Sequence, residues 1–298
     1  MRCLIIGADG SFGGPLSQAL GCLGHEVIAT TRRRERASSD RLFLDLAEAL
    51  PPLTCVDVAV ICAAMARFEE CRRYPELAYR VNVTAPLALS RSLARSGARV
   101  ILLSTSAVFD GSRPYVDESE KPAPRSAYGR FKAEAESGLL DLGSAASVLR
   151  LTKVMKPNAG LLSEWIARLG AGKTVRAFHD HRFCPLHVAD AIDAIVALIE
   201  SCAGGIYHVS GAADMSYADA ARFVARRIGV PEDRVDAVHA AEHGLDETER
   251  MPFTSLATHC LSRLTGFIPP EPLDVLQEVY GREIDVGRNQ LCIHEGGS

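Results

Sequence analysis

Short apolar segments alternate with longer segments of helical periodicity through the first half of the chain. Continuous short apolar runs are typical of buried strands, whereas apolar positions three and four residues apart are typical of helices. The alternation predicts repeated β-α-β units, and therefore an α/β fold with a doubly wound, parallel, Rossmann-type sheet covered by helices on both faces. We predict strands at residues 3–6, 26–30, 58–62, 99–104 and 147–151, and helices at residues 12–22, 76–94 and 127–140.

The pattern becomes less regular after residue 151, where Pro157 and Gly160 indicate that the chain leaves the sheet. We therefore predict a Rossmann domain of residues 1–155 and a smaller C-terminal part of residues 156–298. Some of the second part, at about residues 183–210, is predicted to return to the sheet.

Other segments of the chain carry simpler signals. Three prolines among acidic residues predict a surface loop at residues 111–125, and residues 287–298 are predicted to form a weakly packed tail. Further helices are predicted at residues 188–200, 217–228, 255–264 and 273–280.

Composition and charge narrow the possible functions. With a net charge of -4 and a pI of about 6.2, the chain offers no basic field for nucleic acid or an acidic membrane surface. No basic leader and no apolar stretch near the roughly 20 residues of a membrane span are present. The nine cysteines form no Cys-x-x-Cys pair and lie mostly in apolar runs, as reduced thiols do. We predict a soluble, cytoplasmic protein.

A glycine turn joins the first predicted strand to the first predicted helix, with glycines spaced as Gly-x-x-Gly-x-x-Gly. Such a turn lets the backbone approach a pyrophosphate, and the helix N-terminus behind it supplies amide donors and a partial positive charge. The strand before it and the helix after it favour a dinucleotide site over a turn without a ligand. The predicted cofactor contacts in this turn are Gly7, Gly10, Ser11, Phe12 and Gly13.

Arginines follow the second predicted strand, where enzymes that select NAD usually carry an acid. A guanidinium can bind a 2′-phosphate in a bidentate fork, so Arg32 and Arg33 predict NADP(H), while Glu35 leaves NAD(H) possible. The alternative is a solvated basic loop. Asp45, next to Leu46, is predicted to contact the adenine edge, although an aspartate that starts a helix would look the same.

Tyr128 and Lys132 lie four residues apart and therefore share one face of a predicted helix. An ammonium beside a phenol favours the phenolate and tunes the phenol for proton exchange with a carbonyl oxygen. Thr105, at the end of the fourth strand, can offer its hydroxyl to the same oxygen, or it can simply cap the strand. Asn82 is predicted to bond backbone or relay protons, and the alternative is a packing amide.

Residues 179–187 contain four potential zinc ligands, namely three histidines and a cysteine. Pro185, Arg182 and the lack of a second Cys/His cluster fit poorly with a closed tetrahedral site. We predict no metal, and a loop in which Arg182 faces substrate phosphates.

Together these residues resemble the extended short-chain dehydrogenase/reductase family, and most closely its dTDP-4-dehydrorhamnose reductase branch. The likeness extends to about residue 228 and includes Glu136 after the Tyr–Lys pair. It implies reduction of a 4-keto nucleotide sugar, with Tyr128 as proton donor, Lys132 holding the ribose and Thr105 orienting the carbonyl. It further implies cofactor contacts from Ala63, Ala64, Met65 and Asn82, and substrate contacts from Ser106, Val108, Phe109 and Arg182.

One departure from the branch concerns the pair after the threonine, which is Ser106-Ala107 in place of Asp-Tyr. The same pair argues against a 4,6-dehydratase, whose elimination needs an acid and a base there. An epimerase that recycles one NAD does not need the phosphate recognition of Arg32. Two alternatives remain: a non-catalytic, NADP-binding regulatory subunit, which this branch also contains, and a reductase of a non-nucleotide ketone or aldehyde. A homodimer is possible.

Overall fold

The computed structural model describes residues 1–10, 12–53 and 55–295, with side chains to residue 289. The predicted alternation of strands and helices is confirmed for these residues, although several short elements were not predicted. The strands are β1 Arg2–Ile6, β2 Glu26–Thr31, β3 Arg41–Phe43, β4 Val58–Ile61, β5 Arg99–Thr105, β6 Ala146–Leu151, β7 Lys153–Met155, β8 Val175–Phe178, β9 Arg182–Phe183, β10 Pro185–His187, β11 Gly205–Val209, β12 Met215–Ser216 and β13 Val235–Val238.

The helices lie between the strands and continue beyond the last of them. They are α1 Gly13–Cys22, α2 Phe68–Arg73, α3 Pro75–Tyr79, α4 Ala85–Arg95, α5 Ala127–Leu140, α6 Gly160–Gly170, α7 Val188–Ser201, α8 Tyr217–Ile228, α9 His259–Thr265 and α10 Pro272–Glu295.

Seven parallel strands form the central sheet in the order β11-β6-β5-β4-β1-β2-β3. This is the doubly wound sheet that the sequence predicted. The strand order reverses between β1 and β4, and ligands of such sheets bind outside the carboxyl ends of the strands at this point. Strand β11 pairs with β6, so part of the C-terminal half does return to the sheet.

The two faces of the sheet carry separate cores, because successive side chains of a strand point to opposite faces. Ile5 and Val60 pack beneath α1 and α7, while Ile6 and Ile61 pack with Leu89 of α4 on the other face. The carboxyl ends of the inner strands are thereby held rigidly beside one another.

The C-terminal part has a core of its own, formed by α6, α8 and α10, in which Trp165 is buried. Strands β8 and β13 pair in parallel at its edge. Helix α10 continues where we predicted a weakly packed tail, and Gly287 is buried. The prediction of weak packing is therefore wrong at residue 287. Helices α6 and α10 touch there because both contact residues are glycines: a Cβ on Gly170 would lie 2.9 Å from Gly287 Cα.

The predicted helix of residues 76–94 is interrupted by a π-helical stretch, Arg80–Thr84. Pro86 follows this stretch, and a proline cannot donate the amide hydrogen bond to the carbonyl four residues before it. The resulting extra residue places Asn82 inside the protein. Such π-helical turns are frequent at functional sites.

The predicted helix of residues 255–264 begins only at His259. Its first residues are extended because Asp214 accepts hydrogen bonds from the backbone amides of Thr254, at 2.7 Å, and Ser255, at 3.1 Å. Residues 111–125 form the predicted loop, with one isolated bridge from Val116 to Leu256.

Among the helices that the structure describes, none combines the length and the apolar character that a membrane crossing would require.

Candidate active site

The glycine turn is shaped by close contacts between backbone segments. Gly7 has a φ of 93°, and its Cβ, if present, would lie 2.8 Å from Ala63 N. A Cβ on Gly13 would collide with the carbonyl oxygen of Gly7, so α1 starts directly against the turn. Gly10 N donates to Gly7 O at 2.9 Å. Gly7 and Gly13 are therefore required by the fold of the turn, as in a turn that approaches a pyrophosphate.

The start of α1 carries amide groups that can meet an anion. Phe12 precedes the helix, and no side chain among the described residues caps it. The first backbone amides of a helix have no acceptor within the helix, so without a cap they can donate hydrogen bonds to a bound anion. The arrangement thus fits a bound pyrophosphate, while Ser11, which we also predicted here, lies outside the described residues.

Charged side chains surround the end of β2. Arg32 and Arg33 are exposed, and within the described part of the chain neither forms an ion pair. Asp9 of the glycine turn is paired with Arg41 and accepts a hydrogen bond from Thr31. Because Arg41 neutralises Asp9, the negative charge of this turn does not oppose a phosphate at Arg32.

The segment after β3 is held by a local turn. Asp45 Oδ1 accepts a hydrogen bond from Ala47 N at 2.9 Å. This forms a turn, and not the helix start that we left open as the alternative to an adenine contact. The Leu46 side chain is buried in the core, so only its backbone can reach a cofactor, and a side-chain contact is ruled out in this conformation.

Asn82 fixes the loop that follows β4. Its Oδ1 accepts from Met65 N at 2.9 Å, and its Nδ2 donates to Met65 O at 3.0 Å. Both ends of the amide are used, so Asn82 bonds backbone, as one of the predicted alternatives stated. Ala63 and Ala64 lie in this loop, and Ala63 faces Gly7. The loop after β4 and the glycine turn therefore lie in direct contact.

Helix α5 brings the predicted acid/base pair to the end of β5. Ser126 Oγ accepts from Gly129 N at 3.1 Å and caps the helix. A Cβ on Gly129 would collide with Ala107 O, so the helix packs against the main chain just after Thr105. Tyr128 and Lys132 consequently flank the carboxyl end of β5.

The phenol of Tyr128 lies in an apolar environment. Its ring meets Phe68 edge-on, with centroids 5.8 Å apart. Burial raises the pKa of Tyr128 above its ordinary value, and Cys71 and Glu136 act in the same direction. This is opposite to the lowering that we predicted from Lys132, because the loss of solvent around the phenol is the largest effect on its pKa. In this conformation Tyr128 is a neutral phenol, which is a proton donor.

Lys132 is buried at the same face of α5. Its Nζ donates to Leu103 O, 2.6 Å away, in β5. Burial lowers the pKa of Lys132 to about 8, partly opposed by Glu136 and Cys62. The amine therefore titrates closer to neutral pH than a surface lysine does.

A buried chain of polar groups lies behind this pair. Glu136 accepts two hydrogen bonds from Arg150 Nε, at 3.2 and 3.1 Å, and one from Nη2 at 2.7 Å, and Ser104 donates to the same carboxylate. Arg150 Nη1 lies 3.2 Å from His208 Nε2, and His208 Nδ1 lies 2.9 Å from Ala257 O. Since a carbonyl can only accept, Nδ1 carries the proton and Nε2 accepts from Arg150.

His208 is fully buried and neutral. Burial lowers its pKa to about 3, and the charge of Arg150 adds to this effect. The chain Glu136–Arg150–His208 thus joins α5, β6 and β11 to the segment before α9 without a second buried positive charge.

Comparison with known proteins identifies the family of this chain. Residues 1–282 match the family described as the RmlD substrate binding domain. The chain belongs to this family. It is 32% identical over 252 residues to dTDP-4-dehydrorhamnose reductase of Mycobacterium tuberculosis (strain H37Rv), covering 81% of this chain and 80% of the relative.

Two further similarities bear on the role of this RmlD-family chain. It is 30% identical over 249 residues to methionine adenosyltransferase 2 subunit beta of Xenopus laevis, covering 78% of this chain and 74% of the relative. The crystal structure of dTDP-4-dehydrorhamnose reductase from Bacillus anthracis str. Ames in complex with NADP superimposes with a TM-score of 0.78 at 22% identity. It covers 94% of this chain and 99% of the other. The second similarity concerns the fold alone.

In this RmlD-family chain, Thr105 caps the turn that follows β5. Its Oγ1 accepts from Ala107 N at 3.2 Å, which is the capping role predicted as the alternative. The bond uses a lone pair and leaves the hydroxyl hydrogen free to donate. Capping and carbonyl binding are therefore compatible at this residue.

Three of the four predicted substrate contacts have buried side chains. Val108 and Phe109 form a small core with Leu256, and the Phe109 ring covers the Arg150 guanidinium at 4.9 Å. We therefore correct the prediction for these two residues, since their side chains pack inward. Ser106 is 8% exposed, and so only its edge is accessible.

Arg182 lies in β9 of the C-terminal part and is half-buried. The glycine turn follows β1, the loop that Asn82 holds follows β4, and Thr105 ends β5, so these three lie at neighbouring strand ends of the central sheet. Arg182 lies outside that sheet, in the two-stranded pair β9–β12.

Sequence reasoning missed several residues of this RmlD-family site. Phe68 and Cys71 shape the surroundings of Tyr128, yet no motif distinguishes them. Arg150 and His208 lie in strands that read as apolar runs, and a charged residue inside such a run is the one signal that could have identified them.

Proposed function

We propose that this RmlD-family protein is an NADP(H)-dependent reductase of the keto group of a nucleotide sugar, most closely a 4-keto sugar of the kind named for its dTDP-4-dehydrorhamnose reductase relatives. The observation that supports the proposal is the packing of Gly129 against Ala107 O, two residues after Thr105, on the helix that carries Tyr128 and Lys132. The glycine turn and Asn82 lie at neighbouring strand ends of the same sheet.

The residues present fit the cofactor that the family implies. Gly7, Gly10 and Gly13 would receive the pyrophosphate at the uncapped start of α1. Arg32 and Arg33 carry exposed guanidinium groups suited to a 2′-phosphate. The remaining expected contacts are Phe12, Asp45, the backbone of Leu46, the loop of Ala63, Ala64 and Met65 that Asn82 holds, and the side chains of Tyr128 and Lys132.

The chemistry divides between the cofactor and this chain. When bound, the nicotinamide supplies the hydride for the carbonyl carbon. Tyr128 donates its phenolic proton to the carbonyl oxygen, and its raised pKa keeps that proton in place beforehand. Thr105 donates a hydrogen bond to the same oxygen and so orients the carbonyl.

Lys132 has two tasks in this proposal. Its ammonium can donate to a ribose hydroxyl, and it stabilises the phenolate that remains once Tyr128 has given up its proton. Glu136 lies one helical turn beyond Lys132 and raises the pKa of the amine, which opposes the effect of burial. Arg150 in turn holds Glu136 in one orientation.

The substrate pocket is proposed to lie between the Rossmann domain of residues 1–155 and the C-terminal part of residues 156–298, with Arg182 facing substrate phosphate after a closing movement. Because Ser106 and Ala107 have smaller side chains than an Asp-Tyr pair, they leave the sugar side of the pocket wider and less polar. A reductase of a non-nucleotide ketone or aldehyde is the corresponding alternative.

The similarity to methionine adenosyltransferase 2 subunit beta favours a second candidate function, a cofactor-binding regulatory subunit. The half-buried Tyr128 and the buried Lys132 on one face of α5 support catalysis instead, because function is carried by the residues of a site and not by the shared fold. A homodimer and a cytoplasmic location belong to the proposal as well.

The test measures NADPH oxidation with a panel of 4-keto nucleotide sugars and, separately, of simple ketones and aldehydes. Tyr128→Phe should lower turnover by about 10²–10⁴-fold, since the general acid is lost, while NADPH affinity stays nearly unchanged. Tyr79→Phe is the matched control, because Tyr79 is exposed and donates to Glu134 on the surface of α5.

Normal turnover in Tyr128→Phe would defeat the acid/base assignment. A wild-type protein that binds NADPH but oxidises none with any substrate would point to the regulatory role. Turnover with simple ketones or aldehydes, but with no nucleotide sugar, would show that the substrate is not a nucleotide sugar.

A further inference from the structure

Two histidines stand side by side at the edge of the C-terminal part. In the parallel pair β8–β13, Phe178 is opposite Val238, and each strand is followed directly by a histidine. His179 N donates to Val238 O at 3.2 Å, and the ring centroids of His179 and His239 are 4.2 Å apart. The register of two strands therefore aligns imidazoles that lie far apart in the sequence.

Asp180 adds a carboxylate to this pair. Its Oδ1 accepts from Ala240 N at 2.8 Å, and its Oδ2 lies 3.5 Å from His239 Nδ1. One nitrogen from each histidine and one carboxylate oxygen all lie within 4.8 Å of one another. Both histidines are exposed and Asp180 is half-buried, so an ion can reach the cluster from solvent.

We propose that His179, Asp180 and His239 form a binding site for a divalent transition-metal ion, with zinc as the ion that fits best. Imidazole nitrogen and carboxylate oxygen are ligands that zinc accepts, at about 2.0–2.2 Å each. Small rotations of the exposed histidine side chains bring the three atoms to that distance from one ion. A water molecule takes the fourth position, as in sites with three protein ligands.

Two groups around the three proposed ligands affect metal binding: one orients the carboxylate and the other lowers the affinity for the ion. The hydrogen bond from Ala240 N orients Asp180, as groups outside a metal's own ligands commonly do. Arg250 Nη1 lies 3.8 Å from Asp180 Oδ2, and its positive charge competes with a cation for the carboxylate. The guanidinium must move aside when the ion binds, so we expect moderate affinity.

Metal binding at this place would tie down the start of the segment 240–250. That segment reaches the Rossmann domain, where Asp246 lies 2.9 Å from Arg72 and Glu247 lies 3.3 Å from Arg125. An ion bound at His239 would thus fix the N-terminal end of the segment 240–250, which connects the C-terminal part with the Rossmann domain. The site shares no residue with the proposed reductase site, so the two proposals succeed or fail separately.

The experiment is calorimetric titration of Zn²⁺ into full-length protein freed of metal by a chelator. We expect one ion per chain, and a rise in Tm with Zn²⁺ concentration, since a ligand that binds only the folded state stabilises it. His179→Ala and His239→Ala should each weaken binding by more than tenfold. Arg250→Gln should tighten it, because the competing charge is gone.

The matched control is His259→Ala, since exposed His259 also has a carboxylate nearby, with Nε2 3.8 Å from Asp117 Oδ2. Its affinity for Zn²⁺ should equal that of the wild type. Co²⁺ absorption identifies the ligands: nitrogen and oxygen ligation supports the site, whereas a thiolate charge-transfer band would assign the ion to exposed cysteines and overturn the proposal. Absence of binding, or equal binding by His239→Ala, would overturn it too.

Discussion

Two ion pairs that involve residues of the Rossmann domain differ in burial. Inside the protein, Arg150 and Glu136 are 1% and 2% exposed and share several hydrogen bonds. At the surface, Arg125 and Glu247 are 36% and 75% exposed and make one contact of 3.3 Å. The two pairs therefore differ in their effect: the buried pair fixes α5, whereas the exposed pair contributes little to holding the segment 240–250.

The largest loss of stability is expected when one partner of the buried ion pair loses its charge. Glu136→Gln leaves the Arg150 guanidinium buried without a counter-charge, which should lower the free energy of unfolding by about 3–5 kcal/mol. Urea denaturation of the purified variant measures this. Glu247→Gln is the matched control at the surface pair and should cost less than about 1 kcal/mol. Equal losses in the two variants would show that burial does not distinguish the pairs.

Removing a buried but uncharged side chain should lower the free energy of unfolding by an amount between these two losses. Asn82→Ala removes two hydrogen bonds to Met65 and leaves its backbone groups unpaired, at a cost of about 1–3 kcal/mol. NADPH affinity should also fall, because the loop of Ala63 is no longer held. Titration of NADPH fluorescence checks the second effect. Thr84→Ala, at an exposed position of the same π-helical stretch, should change neither quantity.

The smallest effect at neutral pH should come from His208→Gln. The glutamine amide can accept from Arg150 and donate to Ala257 O, so it replaces the neutral imidazole. The folded pKa of about 3 lies below the ordinary 6.5, so the unfolded chain binds the extra proton and stability falls as pH drops from about 6.5 towards 3.

The measurement for His208 is the free energy of unfolding at pH 7 and pH 5. Between these values the wild type should lose about 2 kcal/mol more than His208→Gln does. If both proteins lose the same amount, His208 does not contribute to the acid sensitivity of the buried chain.

The sequence was sufficient for features that depend on neighbouring residues. Tyr128 and Lys132 share a helix face, and the glycine spacing lies within one turn, so both could be predicted. The Glu136–Arg150–His208 chain could not, because the contact between Arg150 and His208 joins residues 58 apart. The direction of the Tyr128 pKa was also predicted wrongly, since burial depends on the packing of Phe68 and Cys71, to which the sequence gives no guide.

The contact between Gly129 and Ala107 has a consequence for which substitutions the site tolerates. A main-chain oxygen, which every amino acid possesses, sets the position of the catalytic helix. The contact itself therefore does not depend on which side chain stands at residue 107. It depends on residue 129, because any side chain larger than a hydrogen atom there would push the catalytic helix away from the end of β5.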